Sequence, residues 1–201
     1  MRLVASTVWT SRRKWLGTLI PAVFWLPPAV IGVYQILIKN QVGGPSLWWL
    51  LASTVLGWFA VNQFGFFENR RMQGQLKRIL EVQSKSLAEE HYFVGFATPS
   101  FSSTLDAHED VGFLCVYPDR LQFISETRTI DLPRTDITTV RFRPNVHSIL
   151  FLGRWVSVEG TTGGKQVRLL VEPRVKTTLL GNRLFGSKLK VQLKKWLGPV
   201  K

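Results

Sequence analysis

Few residues of this 201-residue chain combine the types and spacings that chemistry requires. Its three histidines, His91, His108 and His147, are scattered and no Ser or Cys nucleophile motif accompanies them, so a hydrolytic triad has no support in the sequence. Asp106, His108, Glu109 and Asp110 offer oxygen and imidazole ligands for a divalent cation, but three consecutive residues point in different directions and no H-x-x-x-H or CxxC spacing completes a site. The run from Gly160 to Gln166 (GTTGGKQ) compares with the phosphate-binding pattern G-x-x-x-x-G-K-[ST]. It is one residue short, and Gln166 stands where the Mg²⁺-binding hydroxyl belongs, so it reads as a hairpin turn. The single cysteine, Cys115, is expected to be a reduced core thiol. This inventory yields no catalytic residue, no metal ligand and no cofactor site, and the chain is read as a protein other than an enzyme.

Charge is distributed more informatively. The chain carries 26 Lys+Arg against 13 Asp+Glu, a net charge of +13, and is 45% hydrophobic, which excludes a disordered tail; one Cys excludes a disulfide scaffold. Two stretches have no charge at all, the 24 residues 15–38 and the 21 residues 47–67. At ~1.5 Å per residue each is long enough to cross a hydrocarbon core of roughly 30 Å. The first exceeds a signal-peptide apolar region of about 7–15 residues and lacks a small-x-small cleavage pattern, so it reads as a permanent helix. Neither span holds an ionisable residue, which argues against a channel or transporter. Pro27-Pro28 predicts a kink, read as a packing feature with a functional hinge as the alternative. Turn formers at 40–46 close an antiparallel hairpin. Arg2, Arg12, Arg13 and Lys14 precede the first span, Arg70, Arg71, Lys77 and Arg78 follow the second, and Lys39 alone lies on the loop side. The positive-inside rule then predicts an integral protein of the plasma (inner) membrane with both termini cytoplasmic.

Domain boundaries follow from changes in period. After the hairpin (1–67), residues 68–90 place Met72, Leu76, Ile79, Leu80 and Leu87 at helical spacing, a juxtamembrane amphipathic helix with a Glu81–Lys85 pair. It either packs on its own domain or forms a short coiled coil. From 91 to 201 the period becomes two: Val111, Phe113, Cys115 and Tyr117 alternate with Gly112, Leu114 and Val116 as in a well-buried strand. Pro118-Asp119 is the turn before a partner strand carrying Leu121 and Phe123. Further strands are expected at 93–97 or 100–105, 128–132, 138–143, 149–152 leading into 155–159, and 165–171, about seven in all. Leu189, Leu193, Trp196 and Leu197 mark a C-terminal helix, with an earlier turn interrupted near Gly181-Asn182 or Gly186. From 171 to 201 eight Lys+Arg face Glu172 alone. Lys188, Lys190, Lys194 and Lys195, together with Arg12, Arg13, Lys14, Arg70, Arg71, Lys77 and Arg78, are the candidate contacts for anionic inner-leaflet lipids. Nucleic acid is disfavoured as a partner because the tether keeps the domain at a membrane, and simple solubilisation of the helix also fits these lysines.

The segment Val111-Gly112-Phe113-Leu114-Cys115-Val116-Tyr117-Pro118-Asp119-Arg120-Leu121-Gln122-Phe123 resembles the strand–turn–strand unit of bacterial pleckstrin-homology (PH)-like and GRAM-like domains, with Tyr117 where Thr is common. Ile130-Asp131-Leu132-Pro133-Arg134-Thr135-Asp136-Ile137-Thr138-Thr139-Val140 resembles the strand entry that follows it in that family. The resemblance covers about half the chain and consists of core and turn positions. It implies a PH-like antiparallel β-barrel or sandwich of about seven strands capped by a C-terminal helix, which with the transmembrane helical hairpin read from the charge-free runs gives an α+β chain. In eukaryotic relatives a basic loop between the first two strands binds phosphoinositides; here 106–110 are acidic, which argues against a phosphate cage there. The function expected is a membrane-anchored binding or assembly module that recruits a protein partner, or its own copies, through a sheet edge or loop. The alternative is a membrane-bound enzyme or small-ligand binder with its site in the barrel mouth.

Overall fold

Residues Ser11–Leu37 form helix α1 and Pro45–Phe64 form α2, joined by a turn in which Asn40, Gly43 and Gly44 adopt positive φ. The computed structural model describes residues 6–99, 101 and 107–198, so Arg2, Asp106, Lys201 and, apart from Phe101, the alternative strand at 100–105 lie outside the described residues. Both helices are long and apolar enough to cross a membrane. Their packing explains why neither shows a polar face. The residues buried between and beneath them are small or ring-constrained, Pro21, Pro28 and Gly32 from α1 and Ser46, Ser53, Ala60 and Asn62 from α2, whereas Val23, Leu37, Trp48 and Val55 point outward. That arrangement, with small residues inside and large apolar ones outside, suits an apolar surrounding. Helix α1 runs on through Pro27 and Pro28, which leave the Val23 and Phe24 carbonyls without their helical donors. Beside them the Trp25 carbonyl accepts from Ser53 Oγ at 2.8 Å.

Helix α3, Asn69–Val82, buries Met72, Leu76 and Leu80 at spacing four against Phe93, Val111, Phe113 and Cys115. The amphipathic segment therefore packs on its own domain. It ends at Val82 because Ser84 takes a φ of 55° and the Lys85 amide turns back to the Leu80 carbonyl at 2.9 Å. Lys85 thus falls outside the helix, which removes the spacing expected of a Glu81–Lys85 pair.

Seven strands follow: β1 (His91–Ala97), β2 (Asp110–Val116), β3 (Arg120–Ser125), β4 (Thr129–Pro133), β5 (Ile137–Arg143), β6 (Trp155–Thr162) and β7 (Lys165–Pro173). They form one antiparallel sheet in the order β4-β3-β2-β1-β7-β6-β5. The sheet does not close on itself; β4 and β5 end it, and the fold is an open, sandwich-like α+β arrangement. Alternation sends Leu114, Leu121, Phe123, Val158 and Val171 inward, where Phe96 stacks on Phe123 with ring centres 4.7 Å apart. The opposite face of β1–β3 is the one α3 covers. Helix α4 (Leu179–Leu197) completes the inner core with Leu189 and Leu193. It is one uninterrupted helix, contrary to the break expected near Gly181 or Gly186. Thr178 caps it, its Oγ1 accepting from the Gly181 amide at 3.1 Å, and Gly186 is buried facing Pro173.

The strand expected at 149–152 is also absent. Val146–Leu150 is a short 3-10 turn because Asn145 and Ser148 cap each other: the Ser148 amide donates to Asn145 Oδ1 at 3.1 Å and the Asn145 amide to Ser148 Oγ at 2.9 Å. Phe151 then takes a φ of 57°. Ile149 and Phe151 consequently face outward, 76% and 73% exposed.

Contacts sort the connections into two groups. The β1–β2, β3–β4 and β5–β6 connections and the 174–178 link meet the hairpin or the segments flanking it, through Trp9 on the His108 carbonyl, Ser6 on Glu126, Trp58 on the Leu150 carbonyl and Asn69 on the Lys176 carbonyl. The β2–β3 turn and the β6–β7 hairpin, with Gly163 and Gly164 at positive φ, instead meet the β4–β5 connection through the Arg134 amide on the Asp119 carbonyl and Thr162 Oγ1 on Asp136. Fixed contacts seat the domain on the hairpin: Trp58 Nε1 donates to the Leu150 carbonyl at 3.0 Å and the Leu180 amide to Asn62 Oδ1 at 2.9 Å. Residues 6–8, which lead into α1, wrap Glu126 of the β3–β4 turn through Ser6 Oγ, both Thr7 donors and the Val8 amide.

Candidate functional site

The polar residues that converge most closely lie buried at this hairpin end. Strand β7 ends by carrying Glu172, paired opposite Gly95 of β1, and Arg174 follows with its amide on the Phe93 carbonyl. His108 comes from the β1–β2 connection, His147 from the 3-10 turn, Asn69 from the start of α3, and Trp9 and Phe66 from the segments flanking the hairpin. Glu172, His108 and Arg174 are all buried. The His108 ring occupies the space a side chain at position 95 would fill: a Cβ on Gly95 would lie 1.9 Å from His108 Cδ2.

Glu172 Oε2 lies 3.0 Å from both His108 Nε2 and His147 Nδ1, and Oε1 accepts from the Arg154 amide at 3.1 Å. Arg174 donates from Nε to Asn69 Oδ1 at 2.8 Å and faces His108 Nδ1 with Nη1 at 3.4 Å. A guanidinium only donates, so in that contact His108 Nδ1 is the acceptor. Trp9 Nε1 donates to the His108 carbonyl at 3.2 Å. The Arg174 guanidinium lies 4.1 Å from the Phe66 ring centre and 4.7 Å from that of Trp9. Burial alone would raise the Glu172 carboxyl; the adjoining His147 and the donors of both imidazoles outweigh it and hold the group below its ordinary value. The carboxylate and the guanidinium thus balance charge inside the fold. Glu172 and His147 also form the orienting half of a base relay, and among the described residues no hydroxyl or thiol is bonded to the His147 ring.

The other residues singled out by sequence go separate ways. Glu109 accepts from Thr98 and pairs with Arg128 at 2.9 Å, whereas Asp110 accepts from Ser125 Oγ and Thr127 Oγ1. His91 bonds the Ala88 carbonyl, and Cys115 is buried. Lys165 pairs opposite Thr162 across the β6–β7 turn. Of the basic residues, Arg13 turns inward, donating to Glu68 at 2.7 Å, to Gln75 at 3.0 Å and to the Val8 carbonyl. Arg12 is exposed, and Lys14 lies over the Trp9 ring. Arg70, Arg71 and Arg78 line an open groove of about 720 Å³ along α3, and Lys77 lies over Phe113. Helix α4 leaves the hairpin as it proceeds, at ~1.5 Å per residue. Lys188 and Lys190 are therefore in its middle, Lys190 over the Phe142 ring, and Lys194 and Lys195 in its last turn.

Sequence reasoning missed Glu172, Arg174, Asn69 and Trp9. One signal was present: Glu172 follows the apolar run Leu169-Leu170-Val171 of a strand otherwise read as core. No protein-family model matches the chain, and no curated protein is significantly similar to it.

Proposed function

We propose that this chain is an integral protein of the plasma (inner) membrane whose α1–α2 hairpin anchors a PH-like domain at the cytoplasmic face, both termini lying on that side. The outward-facing apolar side chains of the hairpin favour this reading, as does the crowding of Arg12, Lys14, Arg70, Arg71 and Arg78 at the domain end against Lys39 at the other. What favours the PH-like identity is the strand order with a single helix after the last strand. The domain acts as a binding or assembly module that recruits a protein partner, or a second copy of itself, without catalysis.

One observation carries the recruitment reading. The inner core is filled by aromatic and branched side chains, the titratable groups at the junction are tied to one another, and the unpaired edge of β4 keeps Thr129, Asp131 and Pro133 exposed. An open edge strand held at a fixed place is a template for strand addition. The experiment is photo-crosslinking in intact membranes from Thr129 and Asp131, with Lys165 on the far hairpin as the control position. Adducts to one protein species, or to a second copy, formed from β4 and absent from Lys165 support the reading. Adducts that ignore position, or none from β4, overturn it.

A further inference from the structure

The β5–β6 connection and α4 gather cations that have no counter-ion among the described residues. Arg154 places its guanidinium 3.5 Å from the Phe142 ring centre and donates from Nη2 to Ser187 Oγ at 2.6 Å, leaving Nε buried without a partner. Arg183, one turn before Ser187 on α4, lies beside it, and Lys190 Nζ stands 4.2 Å from the same Phe142 ring. Burial first, and then repulsion by Arg183, pushes the Arg154 guanidinium below its ordinary value. Among the described residues neither Arg154 nor Arg183 pairs with a carboxylate, whereas neighbouring Arg143 is bonded to Glu159 at 2.7 Å. Two adjoining guanidiniums, one partly buried, cost free energy until an anion joins them.

The same groove, of about 280 Å³, has Phe151 on its wall. Phe151 and Ile149 are exposed apolar tips, and the turn bearing them is hydrogen-bonded to α2 through Trp58, six residues before α2 ends. Six residues of helix are ~9 Å. If α2 crosses a bilayer, the tip therefore lies below the level at which the helix leaves it, among lipid rather than water, with exposed Leu184 beside Arg183 continuing the apolar surface. A cation pair above an apolar wedge has the layout of a phospholipid: phosphate above, acyl chains below.

We propose that this groove binds the phosphodiester of an anionic phospholipid in the adjoining leaflet, held by Arg154 and Arg183, with Ile149 and Phe151 seated among its acyl chains. The site lies on the β5–β6 connection, and it rests on the reading that α1 and α2 span the membrane. A net-anionic lipid is favoured over a zwitterionic one, because a choline ammonium would bring a third cation to the pair.

The test uses the full chain reconstituted with phosphatidylglycerol and extracted in mild detergent, with bound lipid counted by native mass spectrometry. R154Q/R183Q should retain phosphatidylglycerol at least about tenfold less than the parent, a loss of about 1.4 kcal/mol or more. K85A/K165A, which removes the same charge after α3 and at the β6–β7 turn, should match the parent. In a Cys115→Ser background, a fluorophore on Ile149→Cys should be quenched by spin-labelled acyl chains, as should one on Val23→Cys in α1. Equal retention by R154Q/R183Q and the parent, equal loss in K85A/K165A, or an unquenched label at 149 beside a quenched one at 23, overturns the site alone. An unquenched label at 23 overturns the membrane reading itself.

Discussion

A methyl group on Gly95 is the most direct probe of the buried junction. Its Cβ would lie 1.9 Å from His108 Cδ2 and 2.4 Å from Nε2. Carbon contacts settle at ~3.5–4.0 Å, so the ring would have to move by roughly 1.5–2 Å. Trp9, Phe66, His147 and Trp155 surround it, and such a shift breaks the 3.0 Å approach of Nε2 to Glu172. Overpacking costs about 1–3 kcal/mol and loss of a bond to a charged group about 1.5–3 kcal/mol. Against this, alanine is easier to order than glycine in a strand by ~0.5–1 kcal/mol. The net expectation for Gly95→Ala is a loss of about 2–5 kcal/mol, and at ~2–4 °C per kcal/mol for a chain of this size, Tm falls by about 4–20 °C. Thermal unfolding of the detergent-solubilised protein, followed by tryptophan fluorescence, measures it. Removing the ring removes the collision, so in a His108→Ala background the same methyl should cost less than ~1 kcal/mol. An equal cost of Gly95→Ala in both backgrounds would refute the geometry.

Glu126 gives a pH dependence. Burial tends to raise its carboxyl, but the hydroxyls and amides of residues 6–8 hold it below 4.5. A carboxyl depressed in the folded state stabilises above its unfolded value and loses that contribution as pH falls through the folded one. Exchange of the Thr7 and Val8 amides, corrected for its intrinsic rate, should be protected at neutral pH and lose protection as pH falls through the depressed value of the folded carboxyl, whereas Glu126→Ala loses it throughout. Protection that survives in Glu126→Ala would contradict this. Cys115 is fully buried and burial pushes its thiol up, so a maleimide should label it only as fast as the domain opens; prompt labelling of the folded protein would disprove its placement. In the hairpin, a Cβ on Gly57 already meets Trp25 Cβ at 3.0 Å. Gly57→Leu should therefore splay α1 from α2 and abolish a disulfide engineered across them, with Trp25→Ala restoring it.

What the sequence made legible was governed by period and by charge. Charge-free runs marked α1 and α2, and the alternation at 111–117 marked β2, because burial on one face or both is written residue by residue. The 149–152 segment was misread for a definite reason. Its apolar residues look like core, yet the reciprocal capping of Asn145 and Ser148 commits the chain to a turn before they can join a strand. Arg13 shows the same limit: a basic residue next to an apolar run looks lipid-facing, while its helical phase points it at Glu68. The buried cluster was illegible as a unit because His108, His147 and Glu172 are far apart in the chain and meet only through strand pairing. The pairing of Gly95 with both Glu172 and Val111 determines where they meet.

If the domain recruits a partner as proposed, the junction decides how it does so. Each hairpin helix is fastened at its domain end, α1 through Trp9 and Arg13, and α2 through Trp58, Asn62 and Phe66. Two attachments fix rotation as well as distance, whereas a flexible tether would supply only local concentration. A seven-residue strand rises ~23 Å, so the β2–β3 turn and the β6–β7 hairpin stand about that far from the hairpin end, at a set orientation. Inserting a Gly/Ser linker after Phe67 separates the two accounts, because it parts Phe66 from Asn69 and Arg174 while leaving the strands and α4 intact. If a fixed platform is what partners read, crosslinking from Asp131 should fall sharply in the insertion variant even though the chain stays membrane-bound and folded. Undiminished crosslinking would mean that concentration at the membrane suffices, and that the rigid junction serves stability alone.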